Sequence, residues 1–190
     1  MTKEQFNEEL ETVSASRASR LACASLVNQD LPLIPFLIDK LFEVSENVSC
    51  KAAWVLEFVC KDYIYAIIPY LDKFTKNINK IQLDSAIRLV AKVCSFIAKT
   101  YYSKEKNTFK TTLTSQHKKS LIETNFDWLI SEHKLVVKVF AMEKLFYIGK
   151  ENEWIHLELE AILTQDFHKQ SAAYKSRAKR ILKKMKKVKR

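Results

Sequence analysis

The chain has 190 residues, of which 47% are hydrophobic and 28% are charged, a balance typical of a soluble globular protein with a sizeable core. It contains one glycine and three prolines. Because sheet turns and phosphate-binding loops need several glycines, this composition excludes both and predicts an all-α fold. The formal net charge of +10 lies in residues 171–190, which have ten Lys and Arg and no acid, so residues 1–170 are neutral.

The N-terminal residues are polar and acidic, so we expect no secretory signal and a cytoplasmic location. The longest apolar run, residues 63–71, is too short to span a bilayer. The four cysteines have no metal-ligand spacing, so we expect buried thiols, with no metal site and no cofactor. They are Cys23, Cys50, Cys60 and Cys94.

A step of 34 residues relates apolar positions along the first half of the chain. The motif Ile34-Pro35-Phe36-Leu37 recurs as Ile68-Pro69-Tyr70-Leu71. The same step joins three further sets, namely Ala18, Ala52 and Ala86; Leu21, Val55 and Leu89; and Leu26, Cys60 and Cys94. A fixed period in the thirties with two helices per unit is typical of an α-solenoid.

In chain order, the pattern predicts a leading helix at 1–13, four repeats at 14–46, 47–78, 79–131 and 132–166, and a basic capping helix or tail at 171–190. The first helix of the first repeat is predicted to bury Ala18, Leu21, Ala22, Ser25 and Leu26. Its second helix is predicted to run from Leu31 to Val44. Pro35 and Pro69 indicate a delayed helix start, a kink or a short irregular turn at the same place in both repeats.

In the third repeat, residues 101–116 are polar and predict a solvated loop before a helix at 115–130. The fourth repeat is predicted to contain helices at 133–148 and 153–163, with Gly149 forming a left-handed cap between them. The last helix, 171–187, places one apolar stripe toward the stack and its lysines toward water. The stripe comprises Ala178, Ile181, Leu182, Met185 and Val188.

The helix pattern Ala-x-x-x-Leu, at Ala52 with Leu56 and at Ala141 with Leu145, resembles HEAT repeats when it is paired with the Ile-Pro-aromatic-Leu motif. The resemblance implies one domain over 1–190, a right-handed α-solenoid of antiparallel helix pairs (HEAT/armadillo-like) with about four to five repeats.

The chain also resembles a group of small bacterial HEAT-like proteins to which the name adenylosuccinate lyase is sometimes given. Those lyases are long helical enzymes with a Ser-rich, Gly-containing signature loop. Neither that length nor such a loop is present, so we rank this activity last.

The residues predict no catalytic site. Four scattered histidines, His117, His133, His156 and His168, indicate surface or capping roles. An alternative is similarity to HEAT-like alkylpurine DNA glycosylases, for which the candidates are Trp54, Arg88, Asp127 and Trp128. The neutral charge of residues 1–170 argues against a duplex-binding surface there.

The function we predict is a non-catalytic protein-binding module, or scaffold, that uses the groove formed by its second helices. The candidate groove residues are Asp39, Lys40, Asp72, Lys73, Asp127 and Trp128. The recurring Asp-Lys pairs suit either a partner-facing row or solvated surface charge.

The basic tail has two interpretations. Its cations can bind nucleic acid or another anionic surface non-specifically, or they can solubilise the end of a capping helix. They are Lys175, Arg177, Lys179, Arg180, Lys183, Lys184, Lys186 and Lys187, followed by Lys189 and Arg190.

Overall fold

The computed structural model describes residues 1–43, 47–165 and 167–188, and within these ranges the chain is helical and forms no strand. This confirms the all-α prediction. The predicted helix end at Val44, the repeat ends at 46 and 166, the Val188 side chain, Lys189 and Arg190 lie outside the described residues. The helices form two compact units, residues 1–117 and 118–190. The single domain predicted over 1–190 stays a prediction.

The first unit contains seven complete α-helices among its described residues. They are α1 (Lys3–Thr12), α2 (Arg17–Gln29), α3 (Ile34–Leu41), α4 (Asn47–Asp62), α5 (Leu71–Asn77), α6 (Asp84–Tyr101) and α7 (Phe109–Thr112). Helix α1 begins with a capping box, in which the Thr2 side chain accepts from the Gln5 backbone N–H and the Gln5 side chain accepts from that of Thr2.

Helix α4 is the centre of the first unit because it packs against α2, α3 and α6. Its predicted apolar positions, among them Ala52, Val55 and Cys60, are buried. The positions 34 residues later on α6, Ala86 and Leu89 among them, are buried as well. The 34-residue step therefore identifies equivalent core positions correctly for these two helices.

Helix α2 departs from this pattern. Its predicted buried residues Ala18, Leu21, Ala22 and Ser25 are exposed, with Leu21 at 37%. The buried residues are Cys23, Ala24 and Val27 instead. The prediction was wrong because α4 has α2 and α6 as neighbours, whereas α1 packs mainly on α4 and leaves one side of α2 open.

Short 3-10 segments precede both second helices, at Leu31–Leu33 before α3 and at Ile64–Tyr70 before α5, and a third follows at Ile78–Lys80. Pro35 lies in the first turn of α3, and Pro69 lies within the 3-10 segment before α5. The irregular turns predicted at both prolines are confirmed. The solvated loop predicted for 101–116 is wrong in part, since α7 buries Phe109, whose ring stacks on Tyr65 at 5.7 Å.

Helix α8 (Ser115–Ile130) crosses the boundary between the units. The second unit then contains α9 (Leu135–Ile148), α10 (Glu153–Gln165), a 3-10 segment (Phe167–Lys169) and α11 (Ala172–Val188). Helix α11 packs on α9 and α10 and buries Ala178, Ile181 and Met185 of the predicted stripe. Leu182 is half-buried, and Tyr174 joins the core.

Gly149 ends α9 with φ −63° and ψ −12°, a right-handed helical conformation, so the predicted left-handed cap is wrong. A Cβ atom at this position would lie 2.6 Å from Nε2 and 2.9 Å from Cγ of His156, and closer still to Cδ2. The glycine is therefore required by the close approach of the His156 ring and not by the backbone conformation.

Within the described ranges, no single helix is both long and apolar enough to cross a bilayer, and the pair Arg17–Gln29 with Leu31–Leu41 meets that test only jointly, with a bend of 111°.

Candidate functional site

The recurring Asp-Lys pairs contact each other across the first unit. Lys73 on α5 forms an ion pair with Asp39 on α3, its partner 34 residues earlier. Lys40 pairs with Glu43 at 2.9 Å within the same repeat. Since Lys73 and Asp39 are 50% and 40% exposed, their ion pair contributes less than about 1 kcal/mol.

Asp72 lies on the next rung of this arrangement. Its Oδ1 is 2.6 Å from His117 Nε2, and His117 is buried at the start of α8. The Thr114 N–H donates to His117 Nδ1 at 3.2 Å, and the His117 N–H donates to the Thr114 hydroxyl at 3.2 Å. Because Nδ1 accepts, the hydrogen-bond network assigns the proton to Nε2, which donates to Asp72.

Three of the predicted groove residues, Asp39, Lys73 and Asp72, therefore connect successive second helices from α3 through α5 to α8. Their polar groups already have partners within the chain. The capping role expected for His117 is confirmed, since it occupies the third position of a reciprocal cap at α8.

Asp127 and Trp128 lie on different sides of α8. Asp127 is exposed, whereas Trp128 is 3% exposed and has the Lys144 Nζ 4.9 Å from its ring centroid. The prediction that Trp128 faces a partner is therefore wrong, and the same burial removes it as an accessible aromatic for the glycosylase alternative. Trp54, the other candidate of that kind, is half-buried beneath Arg20, whose guanidinium carbon lies 4.5 Å from its ring.

An apolar surface of the second unit was missed by the sequence analysis. Ile130 on α8 is 59% exposed, and Trp154 and Leu157 on α10 are 55% and 53% exposed. The Trp154 ring stacks on half-buried Phe126 of α8, with centroids 6.0 Å apart and planes 25° apart. We call Phe126, Ile130, Trp154 and Leu157 the Trp154 surface.

Acidic side chains border the Trp154 surface. Glu123 and Asp127 are exposed on α8 beside Phe126, and Glu153 and Glu158 are exposed on α10 beside Trp154 and Leu157. Glu123 has a weak ion pair with Lys119 at 3.9 Å. Among the described residues, the other three acids have no ion-pair partner. The surface thus combines an apolar centre with a negatively charged rim.

Matches among known proteins would narrow the function at this point. Comparison of the chain with protein families, curated proteins and solved structures gives no significant match. The function is therefore argued below from the residues and their geometry.

Helix α11 presents the second charged surface. Tyr174, Ala178, Ile181 and Met185 are buried, whereas every α11 Lys and Arg is exposed or half-buried. Arg180 pairs with Glu143 at 2.8 Å. We call the predicted tail cations on α11 the α11 basic face, which comprises Lys175, Arg177, Lys179, Arg180, Lys183, Lys184, Lys186 and Lys187.

The titratable side chains form no obvious reactive centre. No group of three or more His, Cys, Asp or Glu side chains within the described part of the chain is placed to hold a metal ion. All four cysteines are free and buried, as predicted. Burial, followed by the negative charge of Glu9, raises the pKa of Cys23 to about 11, and burial raises that of Cys60.

His156 is buried and neither caps a helix nor lies at the surface. Its Nε2–H donates to the Phe146 carbonyl at 2.9 Å, and its ring stacks on that of Phe146 with planes 14° apart. Its predicted surface or capping role is wrong, because it fills the space that Gly149 leaves free.

Proposed function

We propose that the chain is a non-catalytic protein-binding module, a short α-solenoid of HEAT-like repeats with the right-handed arrangement that the resemblance implies. Its docking surface is the Trp154 surface, and its occupant is a cationic amphipathic helix of a protein partner. The single observation that carries the proposal is the exposed Trp154, stacked on Phe126 within an acidic rim.

Contacts at a nearly constant separation support the repeat part of the proposal. Residues 34 or 35 apart touch at four places, which are Arg20 with Trp54, Asp39 with Lys73, Cys50 with Ser85, and Glu57 with Lys92. Equivalent helices of consecutive repeats therefore lie side by side, as stacking requires.

The composition of the Trp154 surface supports the docking part. Trp is among the residues that most often dominate binding energy, and aromatic side chains bury about 150–250 Å² each. Exposing Trp154, Leu157 and Ile130 to water is unfavourable by roughly 25 cal/mol for each Å² of apolar surface. A partner that covers them recovers that free energy.

The geometry and charge of the surface define the partner. Phe126 and Ile130 are one turn apart on α8, and Trp154 and Leu157 are one turn apart on α10, so two ridges border a shallow groove. A groove between helices accepts the apolar stripe of a third helix. The rim of Asp127, Glu153 and Glu158 favours lysine or arginine on the flanks of that helix.

The test uses defined peptides of about 18 residues, long enough to form a helix on the surface. A Leu/Lys amphipathic peptide is titrated by calorimetry against the full chain and Trp154→Ala, with a Leu/Glu peptide of the same pattern as the charge control. Leu21→Ala, which truncates an exposed leucine of the first unit, is the matched variant.

We expect the Leu/Lys peptide to bind and the Leu/Glu peptide to bind at least tenfold more weakly. Trp154→Ala should weaken binding by about 30-fold, the equivalent of about 2 kcal/mol, and Leu21→Ala should leave it unchanged. Equal binding of both peptides, or unchanged binding by Trp154→Ala, would refute the proposal. So would sedimentation of the chain as a dimer that Trp154→Ala dissociates, because the occupant would then be a second copy.

A further inference from the structure

The excess positive charge of the protein is held on one folded helix. The 22 basic and 22 acidic side chains of residues 1–170 balance, and α11 contributes eight cations and no acid. Because α11 is fixed on α9 and α10 through its buried stripe, these cations project from a rigid element and not from a disordered tail.

The cations occupy the whole free circumference of α11. At about 100° per residue, the eight cations spread over an arc of about 200°, and the buried residues Tyr174, Ala178, Ile181 and Met185 fill the remaining side. An amphipathic helix that inserts into a bilayer needs a free apolar face, and the apolar stripe of α11 is already covered. A flat anionic surface would contact only the middle of this arc.

Like charges follow one another at helical spacing. Lys175, Lys179, Lys183 and Lys187 are four residues apart in turn, and each such pair of like charges destabilises a helix by about 0.2–0.5 kcal/mol. Among the described residues, Arg180 with Glu143 is the ion pair that α11 forms. The remaining cations are therefore available to an external anion, whose binding would relieve their mutual repulsion.

The charge density of the α11 basic face matches that of a nucleic-acid duplex. From Lys175 to Lys187 the helix extends about 18 Å at a rise of 1.5 Å per residue. Over that length a duplex presents about ten phosphates, one for each 1.7 Å of its axis. A groove with phosphates on both walls also reaches cations across a wide arc, which a plane does not.

We propose that the α11 basic face binds the phosphate backbone of a double-stranded nucleic acid, without sequence preference. This site is separate from the Trp154 surface, so the two proposals are tested independently. No aromatic side chain lies among the exposed α11 cations, since Tyr174 is buried, so base stacking makes no contribution.

The experiment measures the anisotropy of a labelled 20-base-pair DNA duplex titrated with the full chain between 50 and 200 mM salt. If six to eight cations contact phosphates, the slope of log K against log salt is about −5 to −7, a loss of about 10³- to 10⁴-fold in affinity. The triple variant Lys179→Gln, Lys183→Gln, Lys187→Gln should reduce the magnitude of that slope by about 2.7.

The matched control replaces three exposed lysines of the first unit, Lys76→Gln, Lys80→Gln and Lys106→Gln, with the same change in net charge. It should bind DNA with nearly the slope of the unmodified chain. Circular dichroism of both triple variants checks that helix content is retained. Trp154→Ala should also bind DNA normally, which separates this site from the protein-binding surface.

Further arms use a duplex RNA, single-stranded DNA and vesicles containing phosphatidylserine. Binding to either duplex that depends on Lys179, Lys183 and Lys187 supports the proposal, and the two duplexes distinguish its natural form. Binding to vesicles in preference to duplexes would overturn it. Equal loss of DNA binding in both triple variants would overturn it as well, because affinity would then follow net charge and not the α11 basic face.

Discussion

The close approach of Gly149 and His156 gives a prediction whose sign can be reversed. In Gly149→Ala the new Cβ collides with the His156 ring, which must move away from the Phe146 carbonyl. Leaving that buried carbonyl unpaired costs about 1–3 kcal/mol, and losing the ring stack costs about 0.5–1.5 kcal/mol. Alanine at a helical φ of −63° recovers about 0.4–1 kcal/mol, so the net destabilisation is about 2 kcal/mol.

The assay is urea unfolding followed by tryptophan fluorescence in a Trp54→Phe background, where the remaining signals come from Trp128 and Trp154 of the second unit. In a His156→Ala background the ring is absent, and Gly149→Ala should then stabilise by about 0.4–1 kcal/mol. If Gly149→Ala destabilises by the same amount in both backgrounds, the collision is not the reason for this glycine.

Three further predictions concern the first unit. The buried thiols should react with a thiol reagent at pH 8 only as fast as the protein unfolds, since burial raises the pKa of Cys23 to about 11 and that of Cys60 as well; a burst of native reactivity would contradict this. Glu57→Ala should lower the free energy of unfolding by about 1–3 kcal/mol, because Glu57 is 7% exposed and its carboxylate pairs with Lys92 across α4 and α6. Asp39→Ala should cost less than about 1 kcal/mol in the same denaturation experiment, since its ion pair is half exposed, and an equal cost for both would show that burial is not what separates them.

The helical periodicity of the sequence predicted α4 and α6 well, because residues 34 apart have equivalent neighbours on both sides. The same step failed for α2, where Leu21 is equivalent in sequence to buried Val55 but has no helix to cover it. Burial at the end of a stack depends on what is absent, and a repeat alignment does not record that. The short helix α7 was missed for a different reason, since one apolar residue, Phe109, anchors an otherwise polar segment.

The candidate site was predicted less well than the fold. The Asp-Lys repetition identified residues that do meet, yet they meet each other. The Trp154 surface had a signal in Phe126 and Ile130, spaced by four, and in Trp154 and Leu157, spaced by three. Those positions differ from the ones that the repeat assigned to the core, and apolar residues left over in this way on a second helix indicate a binding face.

The nearly constant separation of the inter-helix contacts also has a kinetic consequence. Arg20 with Trp54, Glu57 with Lys92 and Asp39 with Lys73 each close a chain segment of 34 or 35 residues, and Lys51 with Glu11 closes one of 40. Loop-closure entropy depends only on the logarithm of that length, so these closures differ little in cost. The first unit has a low contact order, and folding can begin at any neighbouring pair of helices and spread in either direction along the chain.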